Sequence, residues 1–263
     1  MEIDKLFGVK GKVVLVTGGG RGIGFMISQG FVRNGATVYI ASRSKKECDK
    51  AAEELTAAGP GKCVALSSAN ISTAEGRKKV VEELSSLEDH LDILVNNSGC
   101  TWGMPIEDFT ESAWDKVMDL NVKALFFLTR DLLPLLQKKA TAVDPARVIN
   151  LGSIDGIRIP TLETYPYSAS KAAVHQLTRV LANRLASMNI TVNAVAAGPF
   201  ESKMMAETLR TFGELLKANV PRGRIGEPED IAGACIFLGS RAGAFLTGAV
   251  IPLEGGILSA ARL

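Results

Sequence analysis

Seven short runs rich in apolar residues recur along the chain, at 12–17, 36–41, 63–67, 91–95, 146–151, 190–195 and 249–253. The first, Lys12 to Thr17, is almost wholly apolar and rich in β-branched residues. That pattern belongs to strands buried on both faces, as in parallel sheets. The stretches between them carry helical spacing, at 25–34, 46–58, 73–87, 112–139, 167–188 and 228–238, with Pro134 expected to kink the fourth. Parallel neighbours need long right-handed crossovers, and helices supply them. The chain is therefore expected to be one doubly wound α/β domain over residues 1–263, with a seven-stranded, mainly parallel sheet between two helical layers. Residues 198–226, interrupted by Pro199, Pro221 and several glycines, show no clear periodic order. They follow the sixth strand, where ligands bind such sheets, so a substrate lid is expected there.

The first strand runs into Gly18-Gly19-Gly20-Arg21-Gly22-Ile23-Gly24 and then a helix. Glycines between a buried strand and a helix permit a tight turn and let backbone N–H groups approach a pyrophosphate. The G-x-G-x-x-G spacing fails, because Gly18 and Gly20 would require a glycine where Ile23 stands. The loop is a variant, read as the pyrophosphate cradle of a Rossmann-type dinucleotide site. The end of the second strand indicates which dinucleotide. An NAD site usually places an acid there, on the ribose hydroxyls. Here Ser42 and Arg43 occupy that end, and no acid comes before Glu47. Arg43 can pair with a 2′-phosphate, Ser42 can hydrogen-bond it, and Arg21 adds a second charge. NADP(H) is the expected cofactor.

Tyr167 and Lys171 are four residues apart, on one face of the last long helix but one. A free phenol ionises near pH ~10, and a nearby ammonium lowers that value, so the pair can serve as a general acid/base. His175, one turn further on, reads as a packed helix residue rather than a catalyst.

Bulk composition narrows the field. Hydrophobic residues make up 46% and charged residues 22%, enough apolar side chain for a substantial core. Thirty basic residues face 28 acidic ones, with no block of one sign, which argues against a nucleic-acid or membrane-surface partner. The charged start lacks an apolar signal core, and no run reaches the length of a membrane span. Cys48, Cys63, Cys100 and Cys235 are scattered, with no histidine at ligand spacing. They are expected to be reduced thiols of a cytoplasmic protein, with no metal site.

These motifs together resemble the classical short-chain dehydrogenase/reductase family, over nearly the whole chain. Thr17 to Gly24 resembles its TGxxxGxG loop, Asn96-Asn97-Ser98-Gly99 its NNAG element, and Asn121 its helix asparagine. Ser153 is similar to its catalytic serine, and Tyr167 with Lys171 to its YxxxK pair. The family resemblance implies hydride transfer between a nicotinamide and a carbonyl or alcohol carbon. It implies Tyr167 as general acid, Ser153 hydrogen-bonding the same oxygen, and Lys171 lowering the Tyr167 pKa and holding the nicotinamide ribose. Asn121 would interrupt its helix and carry a water passing protons to Lys171. Further cofactor contacts are implied at Asn70 and Ile71, at Asn97, Ser98 and Gly99, and at Gly198, Pro199, Phe200 and Ser202. The sequence departs from the family pattern at Ala196-Ala197-Gly198-Pro199, at Asn70-Ile71 and at Glu254. Residues 98–103, 132–136 and 145–150 look most like 3-oxoacyl reductases of the rhamnolipid-biosynthesis type. Cys100, Trp102, Met104, Leu162 and Phe200 resemble a mostly apolar substrate cleft, suited to a lipophilic carbonyl compound. The family implies a homo-oligomer, a tetramer or a dimer. An alcohol-oxidising dehydrogenase, and a non-redox scaffold or cyclase, are the alternative readings.

Replacing Tyr167 with Phe removes the proton donor and nothing else. The variant is expected to lose about 10²–10⁴ in kcat by steady-state assay. Near-wild-type turnover would take Tyr167 out of the mechanism.

Overall fold

The computed structural model describes residues 2–260, with the backbone alone at 207, 208 and 212. Seven strands form one sheet among the described residues: β1 (Val13–Thr17), β2 (Thr37–Ala41), β3 (Lys62–Ala65), β4 (Ile93–Asn96), β5 (Ala146–Leu151), β6 (Ile190–Ala197) and β7 (Val250–Leu253). Their order is β3-β2-β1-β4-β5-β6-β7, and every pairing is parallel. The direction of winding reverses between β1 and β4, which opens a crevice at the carboxyl ends of those two strands.

Consecutive apolar residues serve opposite faces. Val14 and Val16 of β1 pack with Ile27 and Phe31 of α2 (Gly22–Arg33) and Ile231 and Leu238 of α10 (Pro228–Gly239). Val13 and Leu15 pack on the other face, with α4 (Ala74–Leu87), α6 (Ala124–Asp131) and α8 (Tyr165–Leu185). Both faces of the central strands are thus removed from water, the condition that only parallel crossover topology meets. The remaining helices are α1 (Ile3–Phe7), α3 (Lys45–Ala57), α5 (Glu111–Met118), α7 (Leu133–Gln137) and α9 (Ala206–Ala218).

Three expectations need correction. The helix after the glycine loop begins at Gly22, inside the loop, because glycine carries no apolar period to mark it. The long helix over 112–139 is three helices. A π-turn at Asp119–Lys123 separates α5 from α6, and Leu132 breaks α6 from α7. Pro134 falls in the first turn of α7, where its missing N–H costs no helical bond. Finally, 198–226 is not irregular. It holds the 13-residue helix α9, and its ends are joined by a parallel bridge between Phe200 and Gly226.

A buried polar chain crosses the lower layer. Asn96 Nδ2 donates to Thr129 Oγ1 and to Asn150 Oδ1, both at 3.0 Å, and Asn150 Nδ2 donates to Thr178 Oγ1 at 2.9 Å. It links β4, β5, α6 and α8 through groups that have no access to water. Asn150→Val would orphan an Asn96 N–H. The expected loss is about 1–3 kcal/mol of unfolding free energy in urea titration. An unchanged midpoint would show the chain to be dispensable.

Candidate active site

Every site residue read from the sequence lies at or beyond the carboxyl edge of the sheet. At the end of β1, Gly18 turns with φ +68°. Gly24 must be glycine, since a Cβ there would stand 2.3 Å from the Gly18 carbonyl oxygen. Thr17 ties the two sides of the crevice. Its Oγ1 accepts from Asn97 N–H and Ser98 N–H, each at 3.0 Å, and Asn97 Nδ2 donates back to Thr17 O at 2.9 Å. Gly20 packs on Cys48, and Ile23 packs partly into the upper core.

Arg43 is exposed at the end of β2, and Ser42 is half-buried beside it. Ser42 Oγ accepts from Ser44 N–H at 3.2 Å and contacts Cys48 Sγ at 3.0 Å. Arg21 faces Glu47 at 3.5 Å, with both side chains half exposed. Such an open pair contributes about 0–1 kcal/mol and yields readily to a phosphate. Asn70 is exposed and its Oδ1 accepts from Ser72 Oγ at 2.9 Å. The Ile71 side chain is buried among Leu66, Ala69 and Val80, which leaves only its backbone to meet a ligand. Gly198 meets the turn at Glu254, whose Cα would lie 2.8 Å from an added Cβ. Pro199 O accepts from Gly226 N–H at 2.9 Å. Ser202 lies against Gly22, bringing the α9 segment over the loop. The placing of Phe200 needs correction. Its ring is 2% exposed and packed on Gly226, so it belongs to the hinge of this segment and not to a substrate cleft.

The candidate reacting groups meet where β5 ends against α8. Ser153 leaves the strand after Gly152, and its Oγ accepts from Asp155 N–H at 3.1 Å. Ser153 neighbours the Tyr167 phenol and favours its ionised form. Lys171 is buried, donates from Nζ to Leu151 O at 2.7 Å, and lies 5.5 Å from the centre of the Tyr167 ring. Gly99 passes over it. Burial pulls the Lys171 ammonium down to about 8. Burial pushes the Tyr167 phenol up to about 12, against the opposing pull of Ser153. The net direction for Tyr167 is thus upward, set by burial. The ammonium lies under the ring rather than at the hydroxyl, and desolvation dominates.

Asn121 sits in the π-turn, whose i→i+5 bond runs from Ala124 N–H to Asp119 O. Its side chain is committed: Oδ1 accepts from Cys100 N–H at 2.9 Å, and Nδ2 donates to Cys100 O at 3.0 Å and to Ser170 Oγ at 2.9 Å. Asn121 thus holds the loop after β4 onto α8. Burial raises the Cys100 thiol despite the nearby Lys116, Arg43 and Lys171, so it is no activated thiolate. Ser170 and Thr178 escaped the sequence reading, which took Thr17 only as the start of the glycine loop and His175 only as a packed helix residue. His175 and Thr178 stand four and seven residues after Lys171, so a polar i, i+4, i+7 stripe was the available signal.

A glycine cradle at a helix start, with Arg43, Arg21 and Ser42 at the second strand, fits NADP(H). The cleft and its serine, tyrosine and lysine define a nicotinamide-dependent oxidoreductase. A family model described as enoyl-(acyl carrier protein) reductase matches residues 18–258. The rhamnolipids biosynthesis 3-oxoacyl-(acyl-carrier-protein) reductase of Pseudomonas aeruginosa is 44% identical over 252 residues, covering 95% of this chain and 97% of that protein. The 3-oxoacyl-(acyl-carrier-protein) reductase FabG of Thermotoga maritima is 34% identical over 250 residues, covering 95% and 99%. Among solved structures, the Pseudomonas aeruginosa RhlG/NADP active-site complex matches with a TM-score of 0.91 at 42% identity, covering 98% and 99%. The chain belongs to the short-chain dehydrogenase/reductase family and is an oxidoreductase.

His175 gives a pH prediction. Burial, Lys171 and Arg179 pull its imidazolium from 6.5 down to about 4. Between those values the unfolded chain holds the extra proton, so stability rises with pH across that window. Urea midpoints at pH 4.5 and 7 are expected to differ less in His175→Gln than in wild type.

Proposed function

We propose that this protein reduces a ketone on a lipophilic chain, of the 3-oxoacyl type, to a secondary alcohol with NADPH. The observation that carries this reading is buried Lys171, 5.5 Å from the centre of the Tyr167 ring, with Ser153 beside the phenol and the glycine loop across the crevice. Bound NADPH supplies the hydride. Tyr167 gives its proton to the oxygen of the reduced carbonyl. The phenol is protonated at neutral pH, the state that reduction needs. Ser153 hydrogen-bonds the same oxygen. Its Oγ already accepts from Asp155 N–H, which leaves the hydroxyl proton to point at the substrate. Lys171 stabilises the phenolate once the proton has left. Asn121 holds the loop after β4 against α8 beside Lys171. Four separate reacting groups in one cleft count against a scaffold or cyclase.

Several features support a lipophilic substrate. Trp102, Ile106, Ile157, Ile159 and Leu162 are exposed. Their two loops are joined where Glu163 Oε2 accepts from Ile106 N–H at 3.1 Å. The segment 198–226 would cover this cleft as a lid, its ends pinned at Phe200 and Gly226. Exposed Trp114, Phe126 and Val180, on α5, α6 and α8, support homo-oligomer contacts. Four free cysteines support a cytoplasmic setting. Among the described residues no helix is long and apolar enough to cross a membrane.

The test is NADPH and NADH oxidation against a 3-oxoacyl thioester, a cyclic diketone, an aromatic ketone and a steroid ketone. Turnover is expected with NADPH and the thioester. Arg43→Asp should raise the KM for NADPH by about ten- to a hundredfold while leaving NADH nearly unchanged. Equal use of both cofactors by the wild type would refute the cofactor assignment.

A further inference from the structure

His175 is buried on α8, one turn beyond Lys171 and two beyond Tyr167, and the mechanism above leaves it unused. Its Nε2 accepts the backbone N–H of Ser153 at 3.4 Å. The ring also fills a notch in the chain. A Cβ at Gly152 would stand 2.2 Å from His175 Nε2, and one at Gly156 would stand 3.0 Å from Cε1. These two glycines bracket Ser153, so the imidazole occupies the corner where the chain leaves β5. Other bonds hold the rest of that corner. Gly152 N–H donates to Val195 O at 2.9 Å, and Gly156 N–H donates to Ser153 O at 3.0 Å. Asp155 N–H fixes the Ser153 oxygen. The Ser153 N–H has His175 as its acceptor.

Accepting that bond requires a neutral imidazole with its proton on Nδ1. The ring is neutral at working pH because burial, with Lys171 and Arg179, pulls it down to about 4. Asp155 and Arg158, the charged groups on the facing turn, are paired with each other at 3.0 Å. No carboxylate is therefore poised to recharge the ring.

We propose that His175 is a positioning residue for the reaction: it anchors the Ser153 backbone so that the serine hydroxyl stays aimed at the oxygen Tyr167 protonates. One rigid helix face then sets the proton donor, the cation and, through His175, the serine. Leucine would fill the notch but leave the N–H without an acceptor. Glutamine places an amide oxygen near the position of Nε2. The inference rests on the assignment of Ser153 to the reaction.

The test compares His175→Leu, His175→Gln, Ser153→Ala and the Ser153→Ala/His175→Leu double variant, by kcat, KM and NADPH titration. His175→Leu is expected to lower kcat about tenfold or more, with the NADPH Kd within about twofold of wild type. His175→Gln should recover to within about threefold. In the Ser153→Ala background, His175→Leu should cost less than about twofold further, because residues acting as one unit are not additive. An equal loss in both backgrounds, or Gln no better than Leu, overturns the proposal. Should the leucine variant not fold, His175→Asn, whose acceptor falls one methylene short, replaces it. Equal activity of Asn and Gln would then overturn the proposal. Full activity in Ser153→Ala would instead sink the assignment of Ser153. Loss in Ser153→Ala alongside wild-type activity in His175→Leu would sink only the role of His175.

Discussion

The attachment of α8 to β5 is the constraint on which the site depends. Three side chains on one stripe of the helix make it: Lys171 to the Leu151 carbonyl, His175 to the Ser153 N–H, and Thr178 to the Asn150 amide. All three bonds are out of water, where an unpaired polar group is costly. A helix resting on apolar contacts alone could slide or rotate by a fraction of an ångström with little penalty. One bonded at three successive turns cannot. The serine from the strand and the tyrosine from the helix are thereby fixed relative to each other, although they are distant in sequence.

The other half of the crevice is fixed differently. Thr17 gathers the backbone of the β4 exit onto the β1 exit, and glycine supplies the close approach that a side chain would forbid. Asn121 then ties the β4 exit to α8 through Cys100 and Ser170. The cofactor half and the reaction half are thus joined by hydrogen bonds between main chain and small polar side chains. None of these bonds needs a long, flexible residue, and so little rotamer freedom is lost in holding the geometry.

Much of this was legible in the sequence. Short runs rich in apolar residues marked every strand, most plainly β1, whose five residues are all buried. The glycine loop and the Tyr167–Lys171 pair stood out from their residue types and spacing, whereas Ser153 was reached only through the family resemblance. The helix α9 was missed because prolines and glycines at the ends of its segment masked the order between them. The π-turn at Asn121 was invisible in the spacing alone, since one extra residue in a turn barely disturbs an apolar period. The direction of the Tyr167 pKa could not be read from a four-residue spacing either. That direction depends on how deeply the phenol is buried and on where the ammonium lies against its ring.

The bridge between Phe200 and Gly226 has a consequence for how such a protein changes over generations. Because the two ends of the intervening segment meet, whatever lies between them is topologically an insert hung from a closed neck. Lengthening it adds little closure entropy, since that cost grows only logarithmically with length. The segment between them can be exchanged, shortened or rebuilt while the sheet, the serine and the tyrosine remain as they are. Selectivity and chemistry are inherited as separable parts.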